Sequence, residues 1–183
     1  MQPGYLSRGR VRVAADGTHR LLQAKDVSSD TGVRIAAAVR FRPERNPELY
    51  RVSRGDILLA ARGQDHRAHL ITEDLTDTLA SSVFYILRPQ ADRVLPGYLA
   101  WWLNLPAVQA EIDAGSYGTG IDYLSRETLE RLPVPVPALS IQHQIQRVVA
   151  LWQEQKSLEA RLAETREQYI HAVCLKGVRR SRE

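Results

Sequence analysis

The sequence predicts an α+β (mixed α/β) body followed by one long, coiled-coil-forming α-helix. Three observations carry this. Up to Pro89, short apolar runs bounded by turn residues follow one another, as strands do. After Pro89 the apolar residues fall into segments headed by proline, the favoured first residue of a helix. From Ile141 onward, apolar residues recur every three or four positions, with neither Pro nor Gly until Gly177.

Residues 10–14 (RVRVA) alternate polar and apolar at period two and predict a half-buried strand. Arg20–Ala24, Val33–Phe41, Asp56–Ala61, His69–Thr72 and Ser82–Leu87 predict further strands. The segment Phe41–Pro47 holds two prolines and three charges and reads as an exposed loop. Arg51 to Gly55 reads as the turn that launches the Asp56–Ala61 strand. Helices are predicted over Pro96–Leu103 and Pro106–Ala114, with Gly115 as the stop of the second. Ser125 can cap a short helix that Pro133 ends.

Between body and long helix lies Leu132–Gln144, LPVPVPALSIQHQ. Pro133, Pro135 and Pro137 remove three N–H donors and push the residues between them into extended backbone. Ser140 offers an N-cap for the helix that follows. That helix carries Ile141, Ile145, Val148 and Trp152, then, after a phase slip near Gln155, Leu158, Leu162, Tyr169 and Val173. About 35 residues at 1.5 Å each would reach on the order of 50 Å. Its distal half therefore needs a partner helix, unless the helix folds back on its own body. The basic end with Lys176, Arg179, Arg180 and Arg182 suits the helix dipole.

Composition narrows the classes. With 44% apolar residues the chain can bury a core and does not read as disordered. One cysteine, Cys174, excludes an internal disulfide framework and reads as a small packing residue in a reducing compartment. No run of about 18 apolar residues is present, so a soluble, cytoplasmic protein is expected. The net charge of +4 is unevenly spread. Residues 1–45 hold nine basic against four acidic side chains, residues 46–140 eight against twelve, and residues 141–183 eight against five. Only Lys25, Lys156 and Lys176 of the 25 basic residues are lysines. Arginine's planar fork suits phosphates and guanine edges, although a genome rich in arginine codons gives the same bias.

Catalytic machinery is absent from the pattern. The loop from Gly115 to Gly120 (GSYGTG) lacks the phosphate-binding signature and follows a helix rather than a strand. It is either an ordinary connection or a polar loop able to approach DNA. Asp56 reads as a turn residue bonding backbone amides. A metal nuclease built on Asp56 and Glu73 lacks the companion lysine of such sites. His66 and His69 have no Cys or acidic cluster beside them, so neither metal nor cofactor is expected. Trp101 and Trp102, with Tyr98 and Leu103, read as core, with base stacking as a secondary role.

Several short segments, in order, resemble one family. They are Gln23 to Val27 (QAKDV), Gly55 to Leu59 (GDILL) with Arg62-Gly63, and Leu95 to Leu99 (LPGYL). The loop Gly115–Gly120 leading to Ile121 follows, then Leu132 to Pro137 with Gln144 beyond. Over roughly residues 5–170 the chain resembles the specificity (S) subunit of type I restriction–modification systems. The resemblance implies a DNA target-recognition domain over residues 1–137, a dimerisation and spacing helix over 138–176, and a basic tail over 177–183. It implies a non-catalytic subunit that binds double-stranded DNA, an adenine methyltransferase subunit and, in some complexes, a restriction subunit. A full S subunit carries two recognition domains and two helical regions, whereas this chain carries one of each. It resembles a half-subunit. Two copies paired through their helices about a two-fold axis would read an interrupted palindrome.

On chemical grounds the expected DNA contacts are Arg40, Arg42, Arg62 and Arg67, near strand ends or in loops, and Ser116, Tyr117 and Thr119 of the glycine-rich loop. The expected helix contacts are Ile141, Ile145, Val148, Trp152, Leu158, Leu162 and Tyr169. The alternative is an adaptor that reads no DNA and docks a methyltransferase or other helical partner, in keeping with the acidic middle segment.

Overall fold

The computed structural model describes residues 1–28, 32–63, 66–116 and 123–180, without the side chains of 177–180. Strands β1 (Gln2–Pro3), β2 (His19–Leu22), β3 (Val27–Ser28), β4 (Gly32–Val33) and β5 (Val39–Phe41) come first. They are followed by β6 (Ile57–Ala60), β7 (Ala68–Leu70), β8 (Thr78–Ala80) and β9 (Phe84–Leu87). Then come helices α1 (Pro96–Leu103), α2 (Pro106–Ala114), α3 (Arg126–Arg131) and α4 (Leu139–Arg180). The predicted class holds: a sheet-rich mixed domain precedes one long helix. The chain divides into two units, Met1–His143 and Gln144–Glu183.

In the first unit, β1, β9, β6 and β7 form an antiparallel sheet in that order. A second sheet runs β5, β2, β8, with β2 and β8 parallel, and β3 pairs with β4. The apolar run of β6 is explained by burial on both faces, since successive side chains of a strand point opposite ways. Ile57 and Leu59 join the cluster of Trp102, Leu103, Val108 and Ile112 from α1 and α2. Leu58 joins Leu22, Val52, Ile71, Ala80 and Ile86. Leu21, Phe41 and Leu79 pack with Tyr5 in a third cluster. The four-stranded sheet thus lies between helices and the smaller sheet.

Helices α1 and α2 take the predicted spans, each with proline in its first turn. Trp102 is buried core, as expected. Ser125 caps α3 by accepting the Thr128 N–H at 3.0 Å. Asp56 acts as the predicted turn residue, accepting the Ser53 N–H at 2.9 Å. Gly115 ends α2 through close approach rather than a left-handed backbone. Its φ is −91°, and an added Cβ would lie 2.4 Å from Thr128 Cγ2.

Four expectations fail for physical reasons. Residues 10–14 form no strand, because only Val13 bridges Phe41 and no ladder extends the pair. The strand predicted over Val33–Phe41 is broken by a 3₁₀ turn at Ile35–Ala37, where the alanine run lacks the branched side chains that favour strands. Ser140 does not cap α4. The helix begins at Leu139, and the Ala138 carbonyl accepts the N–H groups of Ile141 and Gln142. Gly177 does not stop the helix, which continues to Arg180. Glycine costs a helix interior about 1 kcal/mol, too little to end one of this length.

Gln142, fully buried, locks the start of α4 to the body. Its Oε1 accepts the Leu95 N–H at 2.8 Å, while Nε2 donates to the Arg93 carbonyl at 2.9 Å and the Pro137 carbonyl at 2.8 Å. Tyr98 adds a bond from its hydroxyl to the Pro135 carbonyl at 2.9 Å, and burial raises its pKa above the usual value. Gln142→Leu is expected to lower stability by about 1–3 kcal/mol, because it strands these buried groups without partners. Urea unfolding of the whole chain measures the loss.

In the second unit the apolar side chains of α4 are open. Val148, Leu151, Trp152, Leu158, Leu162, Tyr169, Ile170 and Val173 range from 49% to 71% exposed. Ile141, in the first unit, is 43% exposed and Ile145 is half-buried. The Lys156 ammonium sits 5.0 Å from the centre of the Trp152 ring. Cys174, expected to be a packing residue, is exposed. No described helix is long and apolar enough to cross a membrane.

Candidate nucleic-acid interface

The turn joining β6 to β7 carries two of the predicted arginines, Arg62 and Arg67, both exposed. The backbone beneath them is held from several sides. Arg62 and Tyr123 form an antiparallel bridge, and the Leu124 N–H donates to the Ala61 carbonyl at 3.0 Å. The Arg62 guanidinium lies 5.6 Å from the centre of the Tyr123 ring, within cation–π range. Tyr123 in turn places its hydroxyl 3.1 Å from that of Tyr85, which donates to the Leu124 carbonyl at 3.1 Å.

Arg67 stands between two anchored neighbours. Asn104, just beyond α1, takes the place of a paired strand for Ala68: Oδ1 accepts its N–H at 2.9 Å and Nδ2 donates to its carbonyl at 2.7 Å. Gln109 on α2 donates Nε2 to the His66 carbonyl at 3.1 Å and to the Leu103 carbonyl at 2.7 Å. The Ala60 N–H donates to the Arg67 carbonyl at 3.2 Å. His66, 1% exposed, turns inward. Its Nδ1 donates to the Ala60 carbonyl at 2.8 Å, the only role open to a nitrogen facing a carbonyl oxygen. Its Nε2 lies 3.2 Å from Ser116 Oγ, and that hydroxyl donates to the Ile112 carbonyl at 2.9 Å.

The structure therefore gathers Arg62, Arg67 and Ser116 around one hairpin, with Ser116 engaged internally. Tyr117 and Thr119 lie outside the described residues. Arg40 and Arg42 belong to the other sheet. Arg40 Nε donates to the Gly17 carbonyl at 3.0 Å, and Arg42 pairs with Asp16 at 2.6 Å. The hydrogen bond from Arg42, and then its charge, hold the Asp16 carboxyl below its ordinary pKa of 3.8. Protonating Asp16 removes the charge attraction in this exposed pair, and the lowered pKa places that step below the ordinary carboxylate range. Sequence reasoning missed Asn104, Gln109, His66 and Tyr123. Each matters through partners 36 to 61 positions away, which no local pattern reveals. Among the described residues no three His, Cys, Asp or Glu side chains stand together as a metal site.

What this arrangement can do chemically is present two guanidinium groups from anchored backbone at either end of the β6–β7 connection. Donor groups carried on anchored backbone lose less freedom on binding, which favours bidentate contacts to base edges or phosphates.

No family model matches the chain. The specificity subunit of the type I restriction enzyme EcoBI from Escherichia coli is 29% identical over 99 residues, 54% of this chain and 21% of that protein. The fold is similar to the HsdS subunit from Thermoanaerobacter tengcongensis, with a TM-score of 0.62 and 18% identity over 79% of this chain and 38% of that one. It is also similar to the type I restriction–modification S subunit from M. genitalium, with a TM-score of 0.52 and 12% identity over 84% and 36%. The chain thus spans well under half the length of each. Sequence and fold point the same way: the chain is similar, over part of their length, to specificity subunits of type I restriction–modification systems.

Proposed function

We propose that this chain is a non-catalytic DNA-recognition subunit of a type I restriction–modification complex, acting as a half-subunit. The observation that carries the reading is the shared fold, which pairs 79% of this chain with only 38% of a specificity subunit. In this reading the body, residues 1–137, reads a half-site through Arg62 and Arg67, with Tyr117, Thr119, Arg40 and Arg42 as further contacts. The helix, residues 138–176, pairs with a second copy through the seam from Ile141 to Tyr169, and residues 177–183 form a basic tail.

Two copies related by a two-fold axis place identical surfaces against each other, so the target is an interrupted palindrome. An adenine methyltransferase subunit supplies the chemistry, and a restriction subunit joins in complexes that cleave. The second copy is favoured as the first partner of the helix by the seam itself. Its open apolar side chains recur at helix–helix spacing and are flanked by charged residues.

A gel shift on duplex DNA, with and without a methyltransferase subunit, tests the reading. A salt-sensitive shift is expected, strengthened by the methyltransferase. No shift under either condition, with the methyltransferase still bound, would favour an adaptor that reads no DNA.

A further inference from the structure

The excess of basic charge in the first 45 residues is not accounted for by the reading hairpin, which lies later in the chain. Its centre is the loop from Leu6 to Arg12, LSRGRVR, which carries Arg8, Arg10 and Arg12. All three are exposed, and among the described residues none meets a carboxylate. Of the described acids in this stretch, Glu44 lines the same cleft as Arg12 without an ion pair to it. Asp26 is buried and accepts the Gln23 N–H, and Asp16 is held by Arg42.

The loop is tethered firmly at both ends. Tyr5 is buried, donates its N–H to the Ala80 carbonyl at 2.7 Å, and meets the rings of Phe41 and Tyr50 edge-on. At the other end Val13 bridges Phe41, and the Ala14 N–H donates to the Arg40 carbonyl at 2.9 Å. Between the anchors there is neither helix nor strand. At the apex Gly9 has φ +138°, a backbone that side chains rarely adopt, and nothing lies within 4 Å of where its Cβ would be. The Arg8–Gly9–Arg10 tip therefore projects clear of the body. Arg12, at the base, lines a cleft together with Arg42 and Glu44.

We infer that this loop is a DNA-backbone clamp, separate from the hairpin that carries Arg62 and Arg67. Three unpaired cations on a projecting, doubly anchored loop complement a phosphate backbone. The anchors remove much of the freedom that a loose basic tail would lose on binding. No described side chain bonds the forks of Arg8 and Arg10, and Gly9 between them leaves the tip open. Their contacts carry charge without base choice. The inference rests on the proposed DNA reading.

The test is binding of the whole chain to a random-sequence duplex, followed by fluorescence anisotropy over about 50 to 200 mM salt, where each phosphate contact contributes a slope near 0.9. With Arg8, Arg10 and Arg12 all changed to alanine, the plot of log K against log salt is expected to flatten by about 2.7. With the same three changed to lysine, the slope is expected to stay at the wild-type value, since charge rather than the fork is at work. Matching thermal midpoints confirm that the variants are folded. If the wild type binds and the alanine variant keeps its slope, or the lysine variant loses it, the clamp is overturned while the hairpin reading stands. If the wild type shows no salt-dependent binding, the DNA reading fails and the clamp fails with it.

Discussion

Alanine at both Leu158 and Leu162 is expected to weaken self-association of the chain about 1,000-fold, at ~1 kcal/mol for each of the four leucine side chains that the two copies lose from a partly exposed helix seam. The two residues are four positions apart and face the same side of α4. Both are about half exposed in the single chain, so the body does not need them for its own stability. Their loss falls on the dimer. Sedimentation equilibrium of wild type and double variant measures the shift, and circular dichroism follows the helix. A lone helix of this length, with its apolar face in water, holds together poorly without a partner. Helical signal is therefore expected to fall along with association. A wild type that stays monomeric at tens of micromolar would remove the self-pairing proposal and leave a second S-like chain as the partner.

Arg67→Ala is expected to reduce affinity for the preferred target by about 5- to 150-fold per half-site, equivalent to ~1–3 kcal/mol for a bidentate base contact, and to relax one position in each half-site. Arg62→Ala is expected to act similarly at another position, with a further effect from releasing the Tyr123 ring. Affinity for random DNA should change little for either, because one phosphate contact among many is involved. The loss should extend to Asn104→Ala, although Asn104 reaches no DNA. That change frees the N–H and carbonyl of Ala68 and loosens the turn on which Arg67 is presented. Binding curves on target and random duplexes, compared as a ratio, separate base reading from backbone attraction. An unchanged ratio in the Arg62, Arg67, Arg40 and Arg42 quadruple alanine variant would show that the reading surface lies elsewhere.

The parts of the fold that were legible are those set by local chemistry. Proline at positions 96 and 106, Ser125 as a cap, and the continuous apolar runs of β6 and β9 act over a few residues and survive tertiary packing. β8 was hidden because three residues are too short for a period to show, and its pairing with β2 is set by the sheet. The alternation at residues 10–14 misled because period two describes a strand only when a neighbour completes the ladder. There the neighbour contacts Val13 alone.

The candidate site divides in the same way. Arginines near the ends of β6 and β7 were visible as chemistry. What anchors the backbone on either side of Arg67 was not visible, because Asn104 and Gln109 act across the fold. The proline segment was legible as a joint, but the clamp that holds it was not. Gln142 reads as an ordinary polar helix residue until its three partners are seen.

The most direct test of the account is selection of bound duplexes from a random-sequence pool by the whole chain, alone and with its methyltransferase subunit, followed by sequencing. The account predicts enrichment of one interrupted palindrome, two identical half-sites in inverted orientation at a single fixed spacing. Enrichment of a lone half-site with no inverted copy, or of no sequence at all in either condition, would contradict it.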